Sequence, residues 1–536
     1  MPEPPPSPTA SILPETIATL CLPGGEEAMI HPGLPSEWIA AAVVGLLLMG
    51  WMAGRGDPRS SPKNTPGPSL HKVPLVRGMI RFFYRSPWPL VTLKIILVAL
   101  FLLVILSGLW GTPLPERNLA TTLTWTIWWS LVVVSVLFVG TAWCSVCPWD
   151  TLAGWLVRQR LWQRDPDPAG FDLKLPRIMR TVWPALGMLI GLTWLELGAG
   201  VTTSPVATAS LALIMVVLAT LSLAVFQRKS FCRYLCPVGR TLGFYAQLAP
   251  VELRPIEQKK CDECTSLACY NGSKTIEACP TFLTMGRFSQ NTYCTSCGAC
   301  LMSCPDHNIS WRLRPMATEA RQHARPHWDE AWFMLGLLAL TSFHGVTMLP
   351  QWESILRWLA RWIGDSGQLL ISFSIGMAVC LLVPAILYGL VVAVTRQISK
   401  GVAGGYRRLF ATLSFATLPV AFSYHLAHNL SHFSREGRGF WGIIFNPLGR
   451  DTLPMTIWEK HLRMLDPIMP VSVLHGLQVG LMVLGFGLAV RILRSRGAGE
   501  AGEGIRGWGL LPMWLFLGGV SGFNLWLLGQ DMAMRL

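Results

Sequence analysis

Apolar stretches recur along the chain near residues 38–54, 88–110, 122–143, 181–200, 205–226, 331–349, 368–394, 409–433, 468–490 and 508–530. Each approaches the roughly twenty residues that a helix needs to cross the ~30 Å hydrocarbon core of a bilayer. The pattern predicts an all-α polytopic membrane protein with about ten transmembrane helices. The first stretch is short, and glycines and prolines break the pair at 181–226. The chain divides into a Pro-rich tail over 1–37, a five-helix bundle over 38–236, a polar insert over 237–330 and a second five-helix bundle over 331–536. Only the insert is a polar segment long enough to fold separately.

Composition agrees: the chain is 51% hydrophobic and 14% charged. A net charge of +14 on a soluble domain would point to nucleic acid. Here the basic residues lie between apolar stretches, so the surrounding partner is membrane lipid and no nucleic acid is expected. Of the 44 Lys and Arg, 34 fall in 55–87, 144–180, 227–330, 395–408 and 491–507, against 9 in the opposite segments; Lys94, in the second span, snorkels. Short cytoplasmic loops collect basic residues, which puts the insert in the cytoplasm. The tail has no basic region ahead of an apolar run; it is read as a disordered extracytoplasmic segment and not as a signal peptide.

Twelve of the 14 cysteines lie between Cys144 and Cys304; Cys21 and Cys380 stand apart. Within the insert they read Cys261-x2-Cys264-x4-Cys269-x9-Cys279-Pro280, then Cys294-x2-Cys297-x2-Cys300-x3-Cys304-Pro305. The second half is the bacterial ferredoxin run, in which three thiolates of a tight loop bind one cubane and the fourth, before a proline, crosses to the other. That crossing assigns Cys261, Cys264, Cys269 and Cys304 to one [4Fe–4S] cluster, and Cys294, Cys297, Cys300 and Cys279 to a second. The first half departs from the usual spacing at x4 and x9. Structural zinc or disulfides are the plain alternatives, but zinc chemistry does not ask for such a run. Two more pairs, Cys144-x2-Cys147-Pro148 and Cys232-x3-Cys236-Pro237, follow the third and fifth spans. They are read as a third redox centre or thiol pairs, against cysteines that only cap helix ends.

The stretches Thr141-Ala-Trp-Cys-Ser-Val-Cys-Pro-Trp-Asp150 and Lys229-Ser-Phe-Cys-Arg-Tyr-Leu-Cys-Pro-Val-Gly-Arg240, followed by the two-cluster run, resemble the membrane polyferredoxins of periplasmic nitrate and nitrous oxide reduction. The resemblance covers about residues 88–315 and is absent from the last 200. It implies a quinol dehydrogenase-type subunit of a bacterial inner membrane that passes electrons between the quinone pool and a redox protein partner. It also implies that Cys144, Cys147, Cys232 and Cys236 act together. The family commonly has three residues between the first pair of cysteines; this chain has two. There is no room for an extracytoplasmic flavin domain, so flavin is not implied.

The eighth span carries Tyr424-His425-Leu-Ala-His428-Asn429-Leu-Ser-His432, with the histidines at i, i+3 and i+7 on one helical face. His344 and His475 fall at similar depth on two other spans. Ionisable side chains in a bilayer usually face a bundle interior, so these histidines are candidate ligands. Haem b between His425 or His428 and His475 would extend an electron path outward. Copper, with Met348 helping, would make the chain a metal-handling factor that uses its clusters to reduce the ion. The plain reading is hydrogen bonding to neighbouring helices or a place in the outer interface, favoured for His432 close to the span's end. Glu196 is a candidate proton acceptor from quinol, or an interfacial carboxylate. Trp352, Trp358 and Trp362 with Arg357 and Arg361 predict an amphipathic surface helix. No phosphate loop, dinucleotide fingerprint or Ser–His–Asp arrangement is present.

Overall fold

The computed structural model describes residues 29–55, 68–86, 88–159, 170–399, 405–498, 504–505 and 507–534; Cys21 and most of the expected N-terminal tail lie outside them. Fourteen helices carry the argument: α1 (Ser36–Arg55), α2 (Pro74–Arg85), α3 (Trp88–Trp110), α4 (Leu119–Val139), α5 (Pro148–Arg158), α6 (Trp183–Leu197), α7 (Pro205–Val225), α8 (Pro237–Tyr245), α9 (Trp328–Thr347), α10 (Pro350–Ile363), α11 (Leu370–Ile398), α12 (Tyr406–Phe445), α13 (Val471–Ala498) and α14 (Gly507–Leu528).

Each of the ten apolar stretches lies on a helix, and eight of these helices are long and apolar enough to cross a membrane: α1, α3, α4, α7, α11, α12, α13 and α14. Counting the bent pair α9 and α10 as one broken span gives nine candidates among the described residues, against about ten expected. With 15 residues, α6 rises only about 22 Å at ~1.5 Å per residue. The sixth stretch ends where α9 turns through 93° into α10. Pro350 and a left-handed Gly364 bound α10. Its Trp352, Leu356 and Ala360 pack inward, while Trp358 and Trp362 are exposed beside Arg357.

One apolar core runs through both halves of the chain, from Val132 and Leu223 to Phe415 and Leu517. α1 packs along α13, and the short strand β1 (Met29–His31) pairs with the terminal strand β4 (Met532–Met534). The chain's first span therefore sits with its last ones. α4 and α7 both end at the side that carries cysteines. At the other side the loops interlock: Arg117 pairs with Glu459 at 3.1 Å, and Thr112 N–H donates to the Leu448 carbonyl at 2.8 Å.

The insert is bracketed by antiparallel β2 (Val251–Pro255) and β3 (Ile309–Leu313), so the eight cysteines between them form one closed lobe. Its core is small: Leu253, Met285, Ile309, and Cys294 and Cys300 themselves. A buried ionic knot ties the lobe to the helices. Arg314 pairs with Glu252 at 3.0 Å and Glu319 at 2.5 Å, and donates to the Ala246 and Ala249 carbonyls beyond α8. Glu319 is fully buried and also accepts from Asn291. Each charge is paired and hydrogen-bonded, as a buried ion must be. Tyr84 of α2 lies over Gly298, whose φ of +74° and lack of a side chain leave room for the ring.

Candidate functional site

The first thiol set is built from two like units. α4 leads to Cys144 and Cys147, and α7 leads to Cys232 and Cys236. Cys147 and Cys236 occupy the N-cap positions of α5 and α8, each with proline as the first helical residue, where its fixed φ suits the helix and its missing N–H is not needed. The Cys236 thiol accepts from Gly239 N–H at 3.3 Å, the role a serine plays elsewhere. A thiolate there is favoured by free N–H groups and by the helix dipole.

Burial nonetheless dominates. It raises the Cys144 thiol to about 12, helped next by the charge of Cys236. Burial likewise lifts Cys147, which feels Cys236, Asp150 and Cys144, and Cys232, which feels Asp150, Cys236 and Cys147. The four thiols are thus neighbours, and burial disfavours the thiolate at each of them. Asp150 lies against Cys232 at 3.7 Å and is paired with Lys229 at 2.6 Å. Arg240, 1% exposed, bridges outward from the set: one nitrogen donates to the Cys232 carbonyl at 3.1 Å and the other to the Thr292 carbonyl at 2.7 Å.

In the lobe, Cys261 has Cys269, Cys304 and Cys264 as neighbours, while Cys300 has Cys297, Cys294 and Cys279. Amide donors reach several of these sulfurs: Leu283 N–H to Cys279 and Ser296 N–H to Cys294, both at 3.3 Å, and Asn308 N–H to Cys304 at 3.4 Å. The sets adjoin in order, since Cys269 senses Cys279 and Cys144 senses Cys294. The outer end of that order is the most open. The segment around Cys264 is open to solvent, whereas Cys294, Cys300 and Cys236 are buried.

The membrane histidines do not gather as one ligand set. His425 Nδ1 shares a hydrogen bond of 3.1 Å with the Tyr245 hydroxyl. His475 stands edge-on to Trp38 of α1, 6.1 Å between ring centres, and lines neither cavity described below. The residues expected to grip haem b therefore do not face each other across a common space. Among the described residues no three His, Cys, Asp or Glu side chains are placed to hold a single metal ion.

His344 and His428 instead line a cavity of about 360 Å³ together with Trp125, Trp129, Glu196 and Asn429. A smaller space of about 90 Å³ shares Trp125, Trp129, Glu196, His344 and His428 with it and ends on Pro237, Val238 and Thr241. The combined space thus runs from the interlocked loops at Pro115 and Arg463 to the residue bonded to Cys236. A π-helical stretch at Thr122–Trp128 carries Trp125 and Thr126 into the wall, a distortion common at functional sites. The Trp128 ring contacts Trp143 and Trp149, which neighbour Cys144 and Cys147. Several buried polar atoms along the wall have no partner: Thr241 Oγ1, Asn429 Nδ2 and the indole nitrogens of Trp128 and Trp129. Each such group costs about 1–3 kcal/mol unless a ligand or water meets it. Thr241 and Asn429 carry no sequence signal. Glu436 was legible only as the next i+4 position after His428 and His432.

A family model described as a 4Fe-4S binding domain matches the chain twice, over residues 121–164 and 208–251. Each match takes in a span, a cysteine pair and the Pro-started helix after it; the eight cysteines of the lobe lie outside both. The "Putative electron transport protein YccM" of Escherichia coli (strain K12) is 27% identical over 141 residues, which are 25% of this chain and 37% of that protein. The chain thus matches little more than a third of that relative's length. No solved structure matches. The double match marks the chain as an iron–sulfur protein with membrane-type helices.

Proposed function

We propose that this chain is a membrane electron carrier that takes electrons from a quinol and delivers them through three [4Fe–4S] clusters to a soluble redox partner. The clusters are held by Cys144, Cys147, Cys232 and Cys236; by Cys279, Cys294, Cys297 and Cys300; and by Cys261, Cys264, Cys269 and Cys304. The donor chemistry supports it: each set offers four soft thiols, and a sulfur of each, Cys236, Cys279 and Cys304, accepts an amide N–H. When bound, the clusters supply one-electron acceptors. The protein's own part is to bind the quinol, hold it dry and receive its protons.

The observation that carries this reading is the cavity. It is aromatic, lies between membrane-type helices, has unmet donors along its wall and ends one residue from a cysteine of the innermost set. A quinol, flat and apolar with an oxygen at each end, matches that lining. The bias of basic residues supports a cytoplasmic lobe in a bacterial inner membrane, with the partner meeting the lobe at the exposed Cys264 side. The polyferredoxin resemblance points the same way, and the YccM likeness supports electron transport. Anaerobic mixing of the purified protein with a short-chain quinol tests the proposal. Bleaching of the cluster absorption supports it; full clusters that dithionite reduces and quinol does not would overturn it.

A further inference from the structure

On the electron path, everything needed lies toward Cys236. A different row of groups leads the other way. His428, His432 and Glu436 stand at i, i+4 and i+8 on α12, and all three line the larger cavity. His428 Nε2 is 3.3 Å from His432 Nε2, and His432 Nδ1 is 2.6 Å from Glu436 Oε1. The other oxygen of Glu436 accepts from Thr126 Oγ1 at 3.0 Å. The remaining charged groups facing this space are Glu196 and His344, 3.8 Å apart on α6 and α9, and Glu116 and Arg463 at the loop end. His432 is thus joined through one ring nitrogen to the cavity side and through the other to a carboxylate nearer the loops. An imidazole placed so can take a proton at one nitrogen and release one from the other.

We propose that His428, His432 and Glu436 form a proton wire that carries the protons of the oxidised quinol to the membrane face opposite the clusters, so that turnover separates charge across the bilayer. The proposal rests on the quinol reading above. In the step, both O–H bonds of the quinol break and its two electrons leave one at a time toward the cysteine sets. Its protons pass to His428, directly or from Glu196 and His344, then to His432, to Glu436 and to water beside Glu116 and Arg463. The soluble partner, or an added oxidant, removes the electrons. The wire lies in the part of the chain that the double family match does not reach.

The test uses the full protein in liposomes with a pH dye sealed inside, a short-chain quinol, and ferricyanide outside. Ferricyanide does not cross the bilayer, so only molecules with the lobe outward turn over. The lumen should then acidify as ferricyanide is reduced. In Glu436→Gln and His432→Ala both signals should fall together by about tenfold or more, with Glu436→Asp largely restored. Iron content and thermal unfolding show whether each variant is intact. Protons released outside with an unchanged lumen, or intact Glu436→Gln and His432→Ala proteins that match the wild type, would overturn the wire while leaving the quinol reading standing. Quinol that fails to reduce ferricyanide through intact clusters would remove both.

Discussion

Arg240→Met should make the innermost cluster harder to reduce. The guanidinium is 1% exposed, sits 4.8 Å over the Tyr293 ring, and lies between the Cys232 carbonyl and the Thr292 carbonyl of the neighbouring lobe segment. Adding an electron to a cluster beside a buried cation is favoured, so loss of the cation lowers the potential. A unit charge roughly 7 Å away at an effective dielectric of about 20 contributes about 2.4 kcal/mol, equivalent to roughly 100 mV for one electron. The same change leaves two buried carbonyls unmet, at about 1–3 kcal/mol each. Arg240→Lys keeps the charge but not the two-armed bridge. It should recover most of the potential and less of the stability. An EPR-monitored redox titration reads the first effect and thermal unfolding the second. A midpoint in Arg240→Met that stays put or moves upward, with cluster content intact, would refute the electrostatic reasoning.

Cys236→Ala should lose one cluster's iron and sulfide while the lobe's two clusters remain, which metal and sulfide analysis per chain can establish. Thr241→Val should leave the unliganded protein as stable as before or slightly more so, because it removes an unmet buried hydroxyl, yet weaken quinol binding about fivefold through loss of one hydrogen bond worth about 1 kcal/mol; steady-state KM measures this. Glu252 and Glu277 are held below their ordinary value of 4.5: burial pushes upward, but Arg314 and Arg254 outweigh it at Glu252, and Lys229 and Arg158 at Glu277. Their stabilisation is fully present above that value and drains away as pH falls below it. Acid titration should therefore release the lobe's fluorescence and cluster absorption there, and Glu252→Gln should flatten that limb. Gly298→Ala should destabilise the α2 contact, since a new Cβ would overlap the Tyr84 ring at a φ of +74°.

Much of this architecture was legible in the sequence because it rests on local rules. Every apolar stretch became a helix, and the Cys-Pro pairs became N-caps because proline suits the first turn and cysteine can accept an amide. Span length is less legible where local pattern meets tertiary limits: α6 ends at Gly198 after 15 residues, and the sixth stretch continues past Pro350 as a bent pair. The histidines show a similar boundary. Periodicity put His425, His428 and His432 on one face, but it cannot say which neighbour each meets. Tyr245 takes His425, and the i+4 step continues instead to Glu436. Nor can periodicity find Thr241, which matters only because α8 folds back behind Cys236 and leaves its hydroxyl unmet.

The open setting of the segment around Cys264, against the burial of Cys294, Cys300 and Cys236, also sets where damage starts. Oxygen, peroxide and chelators arrive from water, so they meet the thiols around Cys264 first. If the chain works as proposed, oxidative stress should take its outlet first. On the proposed quinol reading, electrons stranded by that loss would remain beside the aromatic cavity, where they can return to a quinone and not leak to dioxygen.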